Sequence, residues 1–181
     1  TPKVGATIYP PAAGTAGFLV AAYNHIRLAT SSPSGIVTAE LDGKPQRRGL
    51  GDKLSAAQVS ALNSATFFGN DVDPKMVRLA TMNLTLRGLP DVRIQLRNVL
   101  TTTQDAERKA ELGLPPEGFH VILANPPFSG RVDRDRIVED VKVGTTTATE
   151  LLERRLNAAG VRAVVSVLFL LGYMFILLPV V

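Results

Sequence analysis

"TFFGNDVDPKMVRLATMNLTLRGLPDVRIQL", residues 66–96, is the stretch whose reading decides the fold. Thr66-Phe67-Phe68-Gly69-Asn70-Asp71 predicts a strand that ends in an acidic residue. Asp73-Pro74 then opens a helix. An aspartate there can accept from the free N–H groups of the first turn, and proline suits that turn because its missing N–H is not needed. Met76, Leu79, Ala80, Asn83 and Leu84 would form one mostly apolar face. Gly88 and Pro90 stop the helix. Val92 to Leu96 alternates apolar and polar residues, which predicts another strand.

The same order continues on both sides. Upstream, Ala6-Thr7-Ile8-Tyr9 is apolar and partly β-branched, a first strand running into Pro10-Pro11. Gly14 to Gly17 makes a turn of small residues. Phe18 to Leu28 follows as a helix with Leu19, Ala22, Tyr23 and Ile26 on one face. Residues 29–52 are rich in Ser, Pro, Gly and mixed charge and predict a long surface loop or insertion. Its basic residues, Lys44, Arg47 and Arg48, are most simply solvated. Leu54 to Ala65 suits a further helix. Downstream, Thr101 to Gly118 is polar and connective. His120 to Ala124 then carries a fourth strand, Val121 to Ala124, that ends in Asn125-Pro126-Pro127-Phe128. Strands alternating with helices predict an α/β chain with a doubly wound, mostly parallel sheet.

Composition narrows the chemistry. A chain of 181 residues suits one domain, and 45% hydrophobic with 20% charged residues is ordinary for a globular protein. The net charge of +4 is compatible with a polyanion but does not establish one. The absence of cysteine excludes disulfides, thiol catalysis and zinc–thiolate sites. Two histidines, His25 and His120, are too few for a histidine-based metal centre, so no metal is expected. The chain opens on Thr1 with no basic-then-apolar leader, which suggests a piece from within a longer protein.

Three strand ends carry candidate ligand positions, and in open α/β sheets ligands bind at that edge. The turn of Ala13, Gly14, Thr15, Ala16, Gly17 and Phe18 lets the backbone approach a ligand at a helix N-terminus. No lysine follows the glycines, so it is not a Walker loop. Asp71 could accept from two ribose hydroxyls, or it could serve the turn that caps the next helix. Asn125-Pro126-Pro127-Phe128 suits a planar ring bearing an amino group. The Asn125 amide oxygen and the Pro126 carbonyl can accept from the amine, and Phe128 offers a face for stacking. The plain alternative is a proline-ended loop with a core phenylalanine.

With these residues in view, the sequence resembles the modification subunits of type I restriction–modification systems, which are AdoMet-dependent adenine-N6 DNA methyltransferases. "IYPPAAGTAGFLV" (8–20) resembles their AdoMet loop. "GNDVDPKMVRLATMNLTLRG" (69–88) resembles their acidic strand end and the helix after it. "LRNVL" (96–100), "ANPPFSG" (124–130) and "TTTATELL" (145–152) resemble the adenine-contact segment, the catalytic loop and the next motif. The resemblance implies a Rossmann-like methyltransferase fold, incomplete here, with a catalytic domain over residues 1–152. It implies S-adenosyl-L-methionine as cofactor, held by Ala13 to Phe18, Asp71 and Asn98. It implies catalysis by Asn125, Pro126, Pro127 and Phe128 on a flipped-out adenine of double-stranded DNA. It also implies a DNA specificity subunit, a second modification subunit, a possible restriction subunit, and a place in a prokaryotic cytoplasm.

Departures accompany the likeness. Pro10 stands where the family has the aspartate of an Asp-Pro pair, which removes a carboxylate expected to orient the cofactor's methionine end. The family's helical N-terminal region has no counterpart. Residues 153–181 keep a faint echo of a fifth strand, Ala163 to Val167, and then an apolar stretch to Val181. A truncated or frameshifted tail, a further core element and a membrane anchor are the readings of that stretch, the anchor the least expected. Two other functions stay open: an RNA or protein-glutamine methyltransferase with the same loop, or a fragment that no longer methylates.

Overall fold

The computed structural model describes residues 1–41, 44–101 and 106–125, together with the backbone of two strands, 164–168 and 175–179. Among the described residues, six strands build the central sheet. β1 (Ile8–Tyr9) lies parallel to β6 (Val121–Ala124), with Ile8 opposite Val121. On the far side of β6 lies β7 (Val164–Leu168), parallel, and then β8 (Phe175–Pro179), antiparallel. On the other side of β1 stand β4 (Phe68–Asp71) and β5 (Arg93–Leu96), parallel to each other. A parallel bridge between Ile8 and Phe67, and the bond from Ile8 N–H to Thr66 C=O at 2.8 Å, join β4 to β1. The order is therefore β5-β4-β1-β6-β7-β8. The chain winds one way from β1 to β5 and then the other way through β6, so the order reverses between β1 and β6, where such sheets bind ligands.

Strand alternation fills both faces of the sheet. Ile8, Phe67 and Val121 enter a core with Leu19, Ala22 and Ile26 of helix α1 (Gly17–Ala29) and with Ala80 and Leu84 of helix α3 (Pro74–Thr85). Tyr9, Phe68 and Ile122, one residue on in each strand, enter the opposite core with Val99, Leu114 and Phe119. There the Tyr9 and Phe119 rings stack 4.2 Å apart. Ile8, Leu19, Ile26, Leu84 and Ile122 are fully buried, and each such side chain contributes about 1.5–3 kcal/mol. Two packed faces are what a doubly wound sheet requires, as the sequence predicts.

The helices follow their capping signals. Asp73 accepts from Lys75 N–H at 2.8 Å at the start of α3. Ser55 and Gln58 form a reciprocal capping box on α2 (Ala56–Ser64). The inward face of α3 differs from the expected one. Ala80 and Leu84 are buried, but Leu79 is exposed and shares an outer stripe with Met82 and Leu86. A step of one residue turns 100° around a helix, so Leu79 cannot face inward beside Ala80.

Two segments expected to be irregular have structure. Residues 29–52 contain a short 3₁₀ turn (Pro33–Gly35) and an antiparallel hairpin, β2 (Ile36–Leu41) and β3 (Lys44–Gly49), outside the main sheet. The insertion is real, but it is not a loop. Gly49 presses on Arg27 C=O and Leu28 Cα, where an added Cβ would come within 2.5 Å, and so seats the hairpin against the end of α1. Thr101–Gly118 contains a short helix, α4 (Ala106–Glu111). At the C-terminal end, β7 stands where a fifth strand is expected, and β8 occupies part of the apolar stretch. Among the described residues no helix is long and apolar enough to cross a membrane.

Candidate functional site

Because β1, β4, β5 and β6 run parallel, their C-terminal ends share one edge. That edge gathers the glycine turn, Asp71, Asn98 and Asn125. Pro126, Pro127 and Phe128, and the 145–152 segment, lie outside the described residues.

The turn after β1 is held from three sides. Ala13 N–H donates to Asn70 C=O at 2.8 Å, and Gly14 N–H donates to the Asp71 carboxylate at 2.8 Å. Asn83 of α3 donates from its side-chain amide to Thr15 C=O at 2.7 Å. Gly14 has φ +54° and Ala16 φ +64°, so the chain passes twice through the left-handed region. Nothing lies within 4 Å of a Cβ placed on Gly14 or Gly17. The turn therefore presents bare backbone to open space at the start of α1, where amide N–H groups lack helical partners. Ala13 and Ala16 point the other way, into the core, and can offer a ligand only backbone. Thr15 is exposed and Phe18 half-buried.

Asp71 is nearly buried, 8% exposed. One carboxylate oxygen accepts from Gly14 N–H and the other from Asp73 N–H at 3.0 Å. The turn-supporting role, one of the two readings of this residue, is thus present. It does not exhaust the group, because an ionised carboxylate offers about four acceptor positions. Asn98 sits at the exit of β5. Its side-chain oxygen accepts from Leu100 N–H at 3.0 Å and shapes a local turn. Pro10 is fully buried, its ring 3.4 Å from a Cβ placed on Gly69. Where the resemblance expects a carboxylate, this chain has an apolar packing group.

Asn125 closes the row at the end of β6. Its side-chain oxygen is buried and has no hydrogen-bond donor among the described residues. A buried carbonyl without a donor is costly and uncommon.

Sequence reasoning missed three residues at this edge. Asn70 reads there as one member of a strand, yet it ties three exits together. Its amide nitrogen donates to Pro11 C=O at 2.8 Å and to Arg97 C=O at 3.0 Å, and its oxygen accepts from the Tyr9 hydroxyl. Its signal was a lone amide in a strand of otherwise small and apolar residues. Asn83, placed on the apolar face of α3, is instead the polar pin of the glycine turn. Arg97 was noted as part of the 96–100 segment alone. It is 9% exposed, and no nitrogen of its guanidinium has a partner among the described residues. Among the described residues no group of three or more His, Asp or Glu could hold a metal ion.

Residues 1–156 match the family model described as N-6 DNA Methylase. Solved structures agree on the fold. The modification subunit of a putative type I restriction enzyme from Vibrio vulnificus is 23% identical, with a TM-score of 0.60, over 92% of this chain and 31% of that one. The M protein of type I restriction enzyme EcoKI is 20% identical, with a TM-score of 0.60, over 91% of this chain and 30% of that one. A chain from a study of complex assembly in the type I R-M system is 23% identical, with a TM-score of 0.56, over 92% and 28%. The chain thus spans about a third of the length of these structures.

Proposed function

The chain belongs to the N-6 DNA methylase family, and from that premise we propose that its sheet edge serves methyl transfer from S-adenosyl-L-methionine to N6 of adenine in double-stranded DNA. The family uses this donor, and the edge suits it. Bare glycine backbone stands beside a carboxylate with acceptor capacity to spare. The residues assigned to it are the backbone of Ala13 to Phe18, with Asp71 for the ribose hydroxyls and Asn98 near the adenine. When bound, the cofactor supplies a methyl group made electrophilic by its sulfonium.

The observation that carries the reading is the buried oxygen of Asn125, which has no donor among the described residues. An exocyclic amine is a donor of two N–H bonds, and a buried amide oxygen is its natural acceptor. Asn125 accepting one N–H, and the Pro126 carbonyl the other, would pull the nitrogen from planar towards tetrahedral. Its lone pair would then leave the ring system and be free to take the methyl group, the donor would leave as a neutral thioether, and the surplus N–H proton would pass to solvent. Phe128 would stack on the base after it leaves the duplex. Catalysis here is positioning, and no side-chain nucleophile is required.

The likeness in fold to type I modification subunits supports the same role for this chain, with residues 1–152 as the catalytic unit and 153–181 as an apolar segment that carries β7 and β8. The partners proposed on that basis are a DNA specificity subunit, a second modification subunit and a restriction subunit, in a prokaryotic cytoplasm. The test is transfer of tritium from labelled S-adenosyl-L-methionine to duplex DNA, RNA or protein by the chain with its specificity subunit. The reading expects label in DNA, as N6-methyladenine, and about 10²–10³-fold less with Asn125→Ala, the loss typical of one preorganised hydrogen-bonding group. Label in RNA or on protein glutamine, or none at all, would refute it.

A further inference from the structure

Arg97 is the other unsatisfied group at this edge. Its main chain is fixed from both sides: its N–H donates to Asp71 C=O at 2.9 Å and its C=O accepts from the Asn70 side chain at 3.0 Å. Its side chain is more than nine-tenths buried, yet Nε, Nη1 and Nη2 all lack a hydrogen-bond partner among the described residues. A guanidinium stays charged at every physiological pH and carries five N–H donors in a fixed fork. Burying such a charge without a partner costs several kcal/mol. Asp71, the carboxylate at the same strand exits, makes its bonds to Gly14 and Asp73 and none to this guanidinium among the described residues. Arg97 also stands directly before Asn98 and beside the strand end of Asp71, the two positions assigned above to the nucleoside.

We propose that Arg97 is an anion-binding residue of the nucleoside pocket, holding by a charge-assisted fork the carboxylate or phosphate that a nucleoside ligand carries. This rests on the nucleoside-binding reading of the edge, and it adds what that reading lacks. With Pro10 in place of an acidic residue, the turn has lost a group for the cationic part of an amino-acid tail. Arg97 supplies a complement to an anionic part instead. Planar oxyanions match the fork in two parallel N–H···O bonds, which gives orientation as well as affinity.

The test is a double comparison of ligands and residue by isothermal titration. One pair, S-adenosylhomocysteine against 5′-methylthioadenosine, differs by the amino-acid carboxylate and amine. The other, adenosine 5′-phosphate against adenosine, differs by a phosphate. The wild-type chain is expected to prefer the anionic member of one pair by about ten-fold or more, and Arg97→Met to bring that ratio close to one. Which pair shows the effect identifies the source of the anion. Arg97→Met, which keeps the apolar stem, should melt no lower than wild type without ligand, because it removes an unpaired buried charge. Arg97→Lys should retain part of the preference. No preference in either pair, a preference that survives in Arg97→Met, or a lowered melting temperature for the free variant would overturn the proposal. If neither adenosine nor 5′-methylthioadenosine binds at all, the nucleoside reading of the edge fails. Arg97 is then judged by inorganic phosphate and its Nε–H resonance, identified by its loss in Arg97→Met. A shift on titration keeps an anion site there, and an unmoved resonance removes it.

Discussion

Asn70 and Asn125 end neighbouring parts of the same sheet edge, and they are opposites. The amide of Asn70 is saturated: two donated bonds and one accepted bond tie together the exits of β1, β4 and β5. The oxygen of Asn125, also buried, has no donor among the described residues. Both oxygens lost their water on folding. That of Asn70 regained a bond inside the protein, and that of Asn125 has none among the described residues. On the function proposed above, the difference separates scaffold from site. The β4 side is a finished frame that fixes the glycine turn through Ala13, Gly14 and Thr15. On the β6 side the Asn125 oxygen has no donor among the described residues, and the proposed function supplies one from an amino-bearing base.

The contrast can be broken first at Asn70. Asn70→Ala leaves the Pro11 and Arg97 carbonyls buried without their donor, which should cost about 3 kcal/mol. The thermal midpoint should fall by roughly 6–12 °C for a chain of this size. A midpoint within a degree of wild type would show that the frame is not held there. A smaller effect is expected at Gly14. With φ +54°, Gly14→Ala should cost about 1–2 kcal/mol from the left-handed backbone, seen as a lowered midpoint in denaturant. Its surroundings are open, so no steric penalty adds to this. A loss of twice that size would mean that the turn is tighter than it stands.

The smallest effect lies away from both exits and serves as a control. The Asp52 carboxyl is held below its ordinary value of 3.8, mainly by the hydrogen bond with the Ser32 side chain and then by the Ser32 N–H, which donates at 3.0 Å. A depressed folded-state value means that the contribution is present above pH 3.8 and is lost as pH falls through the lower folded value. Asp52→Asn should therefore lower stability slightly at neutral pH, approach wild type as pH falls below 3.8, and leave methyl transfer unchanged. Because the group is exposed, a large effect at neutral pH would contradict the reading.

The strands and helices of the frame were legible because their signals are local. Asp73-Pro74 marks a helix start, and the Val121–Ala124 run marks a buried strand. The hairpin was not, because Lys44-Pro45-Gln46-Arg47-Arg48 has no apolar alternation and packs mainly through Gly49. Its sequence signal was Asp-Gly at 42–43, a dipeptide favoured between hairpin strands. At the site, the residue types and their strand ends could be read in advance. What each polar group already bonds could not. The bond from Gly14 to Asp71 and the pin from Asn83 to Thr15 join residues far apart in sequence, which no spacing records.

The most direct measurement takes one preparation of Asn125→Ala, with the proposed specificity subunit, and determines two quantities: its thermal midpoint and its single-turnover rate of methyl transfer to duplex DNA. An oxygen left free for the substrate predicts a midpoint within about a degree of wild type and a rate lower by about 10²–10³-fold. An unchanged rate, or a midpoint that falls as far as that of Asn70→Ala, would place Asn125 in the frame rather than in the site.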